Sequence, residues 1–303
     1  MTLILTLGNS RQVIQLSDRR LSSAGSSVAE HFNKATVFVC VNGRLAVGFT
    51  GLATVGGFSM QRWLVEALER CAPPEFGISE TVERLRLELS ALFRTDRRIA
   101  SLAPAQRRLS IMLSGYLHNR SPGEIGCLVV TNFQDFESGD DFSEARDEFW
   151  SVLWLENENA VGTTTHIQRV GAWPAMTSGD ESILRELLAR DAPEAAIIDA
   201  GVGLMRSMAD RREAHGTIGK EIQATVIPRD PAREVSTRLR NSEVLETLVL
   251  TDQVLALPGG SFAIRDVQIA VHDGGSIPPR LSRNERCWCN SGEKYKRCHG
   301  RQR

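Results

Sequence analysis

Four strand-forming runs fill the first fifty residues, and they commit this chain to antiparallel hairpins from its very start. Thr2 to Leu7 (TLILTL) is short, apolar and rich in strand formers, Gly8-Asn9-Ser10-Arg11 supplies turn residues, and Gln12 to Asp18 (QVIQLSD) follows. Ala35 to Val41 (ATVFVCV) and Arg44 to Phe49 (RLAVGF) flank Asn42-Gly43, the pair best able to take positive φ at both centres of a type I′ turn. The pattern predicts two consecutive hairpins, with a threonine at the head of the first.

That threonine carries chemistry if it becomes terminal. Removal of an initiator methionine in the cytosol is favoured when residue two is small, so Met1 is expected to be lost and Thr2 to present an α-amine beside its own hydroxyl. Such an amine serves as general base for the threonine oxygen, with no histidine required. An α-amine titrates at roughly 7.7 to 8.0 in model peptides, and a nearby cation holds it partly neutral at working pH. Lys34 is the candidate cation, and Asp18 the candidate group that fixes it.

These residues resemble the proteasome β-subunit and HslV group of N-terminal nucleophile (Ntn) hydrolases. The shared features are a threonine on a first strand, an Asp-x-Arg element ending the second (Asp18 and Arg20, SDRR), a lysine opening the third (Lys34, NKATVFV) and a glycine after the fourth (Gly48-Phe49-Thr50-Gly51). The resemblance implies a four-layer αββα sandwich of antiparallel sheets, an α+β fold. It also implies Thr2 as nucleophile, Asp18 and Lys34 as its charge partners, and a backbone N–H at Gly48 or Gly51 as oxyanion donor. The bland alternative is a strand-ending aspartate and a solvated lysine.

Composition sets the bounds. At 303 residues the chain is ample for one large domain or two unequal ones, and its 42% hydrophobic content can build a real core. Thirty-six basic against 37 acidic residues give a net charge of −1, so nothing global points to nucleic acid or membrane. No cleavable leader is expected in Met1 to Leu7, no apolar run approaches the roughly 18 residues of a span, and a cytoplasmic location follows as an expectation. Cys40, Cys71 and Cys127 lie scattered in apolar segments and read as core thiols. His31, His118, His166 and His272 show no ligand spacing, and no Gly-x-Ser-x-Gly, P-loop or His-Glu-x-x-His pattern is present.

Downstream, Ala53 to Arg70 and Ser79 to Thr95 read as amphipathic helices, the second with a capping-box signature at Ser79. Arg108 to Leu117, Cys127 to Asn132 and Phe149 to Glu156 have strand character, with an acidic, solvated loop over Asp135 to Glu148. Ala175 to Asp180 resembles the family's Gly-Ser-Gly turn, which implies Ser178 as support for the threonine; Ser178 or Asp180 also suits a plain N-cap of the helix after it. A helix over Pro193 to Arg212 and a strand over Glu221 to Ile227 follow. Between them the family carries an Asp-x-x-Ser-Gly loop, whereas this chain reads Arg212-Glu213-Ala214-His215-Gly216. Either His215 takes over contact with the threonine amine or the site has lost that support.

The remainder divides into an extension past Pro228, read as an added layer or a dimerisation element, and a tail. Boundaries are expected at 1–271 for the hydrolase-like domain, 272–284 for a Gly- and Pro-bearing linker and 285–303 for a zinc module. The last contains Cys287-Trp288-Cys289, eight residues, then Cys298-His299. Three thiols and an imidazole form a closed tetrahedral set for one structural Zn²⁺. The segment resembles the SEC-C motif ending the preprotein translocase motor, and the resemblance implies a partner protein or ribosome as its target. From Arg280 onward eight Lys or Arg stand against Glu285 and Glu293, which suits an acidic partner or an RNA backbone. The resemblances together imply a peptide or protein substrate, a homo-oligomer and no membrane partner. Elemental analysis of the purified protein should find one zinc per chain, lost in Cys287→Ser and Cys298→Ser; metal retained in both variants would contradict the ligand set.

Overall fold

The computed structural model describes residues 2–23, 26–29, 32–73, 75–118, 124–136, 140–156, 165–214, 216–240, 247–248, 252–257, 260–264, 271–272, 284, 294 and 297. Strands β1 (Leu3–Gly8) and β2 (Gln12–Asp18) form the first hairpin, with Leu5 opposite Leu16. Strands β3 (Ala35–Cys40) and β4 (Gly43–Gly51) form the second. The turn differs from the Asn-Gly expectation. Cys40 pairs with Gly43, which puts Val41-Asn42 at the tip, and neither Val41, Asn42 nor Gly43 has positive φ. Asn42 is used elsewhere: its Oδ1 accepts the Ile78 N–H at 2.9 Å.

That contact caps the second helix. Helix α1 (Met60–Cys71) and helix α2 (Ile78–Thr95) lie together, and α2 has Gly77 at its N-cap with no side-chain cap of its own. Ser79 therefore does not begin a capping box; the orphan amide is met across the fold by Asn42. Helix α1 also starts later than the apolar spacing from Ala53 suggests. Gly56 and Gly57 take φ of +49° and +80°, outside the right-handed helix, and turn a short ribbon of Thr54–Val55 and Phe58–Ser59 before Ser59 caps α1.

A short helix α3 (Arg97–Ala100) leads to the long antiparallel pair β5 (Leu109–Leu117) and β6 (Glu124–Thr131), followed by β7 (Trp150–Glu156) and β8 (His166–Gly171). Helices α4 (Ser178–Ala189) and α5 (Glu194–Ala209) come next, then β9 (Ile222–Pro228). Among the described residues the extension past Pro228 forms no separate layer. Its strands β10 (Ser236–Arg240), β11 (Thr247–Leu248), β12 (Asp252–Leu257), β13 (Gly260–Ile264) and β14 (Val271–His272) widen both sheets at one edge.

Among the described residues the two large sheets have the orders β8-β1-β2-β9-β10-β11-β14 and β7-β6-β5-β4-β3-β12-β13. All the ladders within them are antiparallel except β12 on β3, where Asp252 lies beside Thr36. Each sheet carries helices on its outer face, giving the four-layer αββα sandwich of an α+β fold. The first strands show why. Leu3, Leu5, Leu7, Ile14 and Leu16 point to one side and pack with Leu184, Leu188, Ile197 and Met205 of α4 and α5. Ile4 and Val13 point to the other side, toward the second sheet, where they meet Met112 and Ala46. Period-two alternation thus supplies apolar groups to both faces of a sheet that is covered on both. The second sheet repeats the scheme, with Phe38, Val47 and Phe49 under Leu64, Leu68, Leu85 and Leu89 of α1 and α2.

Leu16→Ala, within the sealed α5 layer, should lower unfolding free energy in urea by about 2–5 kcal/mol. Leu153→Ala, on a side chain 44% exposed at the β7 edge, should change it by no more than about 0.5 kcal/mol.

Candidate active site

The first two hairpins lie in different sheets, and their ends meet. Asp18 closes β2 in the first sheet, Lys34 immediately precedes β3 in the second, and Thr2 stands before β1. All three are buried, at 5% exposure for Thr2, 0% for Asp18 and 2% for Lys34. Lys34 Nζ donates a short hydrogen bond to Thr2 Oγ1 and another to the Arg20 carbonyl. It lies 3.7 Å from Asp18 Oδ1.

Asp18 is held from three sides. Leu3 N–H donates to Oδ2 at 2.8 Å, Arg20 N–H to Oδ1 at 3.0 Å, and the Gly219 N–H also donates to the carboxylate. Burial pushes its carboxyl above the ordinary value, against the opposing Lys34 charge and the three amides. The sequence pointed to the pair; it did not point to Gly219, which arrives from the loop before β9. The same stretch brings Gly216, whose carbonyl accepts from Arg20 Nη1 at 2.9 Å.

The Thr2 main chain is fixed as firmly as its side chain. Its carbonyl accepts from the buried Thr50 hydroxyl at 2.8 Å and from Ala172 N–H at 3.1 Å. Thr50 sits inside the Gly48-Phe49-Thr50-Gly51 run, and only its position between the two glycines hinted at a role. Of those glycines, Gly48 lies within β4: Phe49 N–H reaches Lys34 O at 3.3 Å, so strand alternation turns the Gly48 N–H the other way, toward Met112 of β5. A Cβ on Gly48 would come within 2.8 Å of Gln15 Oε1, which explains the glycine by packing between the sheets. Gly51 ends the strand with φ +104° beside Thr50, and a Cβ there would overlap the Arg108 carbonyl.

Ser178 is not drawn into this cluster. It is exposed in the first turn of α4, and among the described residues it forms no hydrogen bond with Thr2. The helix cap is Thr177 rather than Ser178: its side chain accepts the Asp180 N–H while Asp180 returns to the Thr177 N–H. Arg211 ties this turn to the loop after α5, donating to Asp180 Oδ2 at 2.5 Å and to the Ala175 carbonyl at 2.7 Å. The Arg211 bonds hold the Asp180 carboxyl well below the usual carboxylate range. Asp210 is spent on Lys220, 2.8 Å away at the surface. His215 and the four tail residues Cys287, Cys289, Cys298 and His299 lie outside the described residues. Among the described residues no group of three or more His, Cys, Asp or Glu side chains could hold a metal. Burial lifts the Cys40 and Cys71 thiols to about 11 and about 12, as suits core positions.

Removing the Lys34 charge leaves Asp18 buried and unpaired. Lys34→Met should therefore destabilise the fold by about 3–5 kcal/mol near pH 8. The sign with pH follows from the raised carboxyl: its favourable contribution is complete below an unfolded aspartate's value of about 3.9 and is lost as pH rises through the folded value. Losing Lys34 raises that folded value further, so the deficit against wild type, measured by urea unfolding, should shrink toward pH 4. A deficit independent of pH would contradict the pairing.

Comparison with known proteins bears on both ends of the chain. The SEC-C motif model matches residues 283–301. A 78-residue stretch is 41% identical to the protein translocase subunit SecA of Pseudomonas putida, covering 23% of this chain and 8% of SecA. In three dimensions, the Anbu (Gly-1) mutant from Hyphomicrobium sp. strain MC1 superposes with a TM-score of 0.51 at 8% identity, over 80% of this chain and 88% of the other. Anbu (ancestral beta-subunit) from Yersinia bercovieri gives 0.46 at 12% identity over 75% and 81%. HslV from Trypanosoma brucei gives 0.38 at 17% over 75% and 99%. At these identities the likeness concerns architecture: the chain has the Ntn-hydrolase fold of proteasome-like subunits, followed by a SEC-C motif.

Proposed function

We infer that the protein is a threonine-type N-terminal nucleophile hydrolase that cleaves amide or peptide bonds through an acyl-enzyme on Thr2 once Met1 is removed. The observation that carries this reading is the sealed contact of Thr2 Oγ1 with Lys34 Nζ beside Asp18. A lysine ammonium donating to a threonine hydroxyl favours the alkoxide that attack requires, and a buried aspartate keeps the ammonium in place. The terminal amine takes the hydroxyl proton as Oγ1 attacks the carbonyl carbon. The C–N bond breaks as that proton passes to the leaving amine, and water then hydrolyses the ester on Thr2. Gly51, beside Thr50 at the strand end, is the better placed of the two glycines to offer an N–H to the oxyanion. Thr50 and Ala172 act as positioning residues through the Thr2 carbonyl.

In this reading the SEC-C tail holds one structural zinc through Cys287, Cys289, Cys298 and His299 and recruits a partner protein or the ribosome. The whole is a cytoplasmic homo-oligomer acting on a peptide or protein. No helix among the described residues is long and apolar enough to cross a membrane.

A second reading keeps the fold and drops the chemistry, leaving a decayed scaffold that binds partners through its tail. Its support is the late loop, where Arg212 replaces the family's aspartate, together with the exposed Ser178. Kinetics on peptide amides separate the two. Thr2→Ala should abolish hydrolysis, and Lys34→Ala should lower kcat by about 10²–10³; turnover that survives Thr2→Ala would exclude the enzymatic reading.

A further inference from the structure

Strand β8 is the outermost strand of the first sheet: among the described residues it pairs with β1 and with no strand on its other side. Which of its main-chain groups are left over follows from two hydrogen bonds at opposite ends of β1. Ala172 N–H donates to the Thr2 carbonyl, and Asn9 N–H closes the first hairpin on the Gln12 carbonyl. In an antiparallel ladder, hydrogen-bonded pairs recur at every second residue. Counting back from Ala172, the main chains of Val170, Gln168 and His166 turn toward Ile4, Thr6 and Gly8. Counting back from Asn9, Leu7 and Leu5 turn toward β2, which leaves Thr6 and Ile4 for β8, so the two counts agree. Ile167 and Arg169 therefore direct both N–H and C=O away from the sheet, and among the described residues no backbone hydrogen bond meets them there.

A cleft of about 220 Å³ runs along this edge, with Ile167, Gln168 and Arg169 on the strand side. Its far wall is the small ribbon of Gln134–Asp135 and Asp140–Asp141, whose two strands pair with each other and not with β8. Phe136 follows the ribbon and packs with Ile4 and Val170 between the sheets. Trp173 lies on the helix side, where the Arg169 guanidinium stacks 5.0 Å over its ring and donates to Glu181 Oε2 at 2.8 Å. The cleft is smaller than the roughly 300–1,000 Å³ of a pocket for a drug-sized ligand or a cofactor. With the ribbon standing across it, the edge has room for one chain at about 4.8 Å from β8 rather than for the covered edge of a second sheet.

We propose that this cleft takes an extended peptide segment of another molecule as an added antiparallel strand on β8. Its first and third residues, opposite Arg169 and Ile167, exchange N–H···O=C bonds with the unmet main-chain groups. Directly opposed residues share a face, so those two side chains fall on the helix side with Arg169 and Ile167, where Leu5 and Leu7 also point. Arg169 and Glu181 satisfy each other on that side, which favours small uncharged residues. The middle residue, opposite Gln168, falls on the Phe136 side and is apolar. Main-chain pairing supplies the affinity, and the alternate side chains supply the preference. This binding does not rest on any chemistry at Thr2.

The test is amide hydrogen exchange of the full chain, assigned to single residues by electron-transfer fragmentation, with N-acetyl-Thr-Leu-Thr-amide as the probe. Without peptide, Ile167 and Arg169 should exchange fast while Gln168 and Val170 are protected; saturating peptide should slow the first two by about tenfold or more. A peptide N-methylated on leucine, whose N–H faces away from β8, should protect equally well, and one N-methylated on both threonines should not protect at all. Ile167→Pro, which deletes an outward N–H and no bond to β1, should weaken the protection of Arg169, and Thr2→Ala should behave as the wild type does. Slow exchange of Ile167 and Arg169 before peptide is added, no protection by the parent peptide, or equal protection by the threonine-methylated one would overturn the assignment. The comparison of peptides is made on wild-type protein, so it decides the matter even where a variant fails to fold.

Discussion

The structure depends on a buried ion pair placed where two sheets meet. Asp18 ends a strand of one sheet and Lys34 directly precedes a strand of the other, so their 3.7 Å contact joins the two halves of the sandwich at one end. Charges taken out of water cost several kcal/mol each unless other groups satisfy them. Here they are satisfied by the chain itself: the carboxylate takes N–H donors from Leu3, Arg20 and Gly219, and the ammonium reaches Thr2 Oγ1 and the Arg20 carbonyl. Three separate stretches therefore converge on the pair. The first strand, the end of the second and the loop before β9 cannot move independently, and Thr2 inherits that rigidity.

Between the sheets a second polar group fixes how they stack. Gln15 Nε2 crosses from the first sheet to Ser114 Oγ at 2.9 Å, and Thr6 Oγ1 reaches the same oxygen at 3.0 Å. Apolar pairs such as Ile4 with Met112 surround these bonds. Hydrogen bonds in such surroundings specify register, because sliding one sheet over the other would leave buried donors unmet. The glycine at 48 belongs to this layer, where Gln15 occupies the space a side chain would need.

Much of this was legible from the chain because strand alternation and short-range spacing carry it. The four opening strands, the order of helices after them and the meeting of Thr2, Asp18 and Lys34 all follow from local pattern and from resemblance. What was not legible depends on contacts distant in sequence. The cap of α2 comes from Asn42, 36 residues earlier; Thr177 takes the cap for which Ser178 and Asp180 are the sequence candidates, through a reciprocal pair of bonds that composition cannot rank. The positive φ of Gly56 and Gly57 delays α1 although the apolar spacing runs on from Ala53. In the extension past Pro228 one pairing is distant in sequence, Asp252 beside Thr36, and the parallel addition of that strand to the second sheet has no local signal.

The central claim is that Thr2 becomes a terminal nucleophile activated by Lys34. Intact and N-terminal peptide mass spectrometry on protein treated with a threonine-directed β-lactone tests it most directly. A chain that lacks Met1 and carries a single adduct on Thr2 is expected, with no adduct on Thr2→Ala. A mature chain that retains Met1 and takes up no lactone would contradict it, because the base required to activate Thr2 would then be absent.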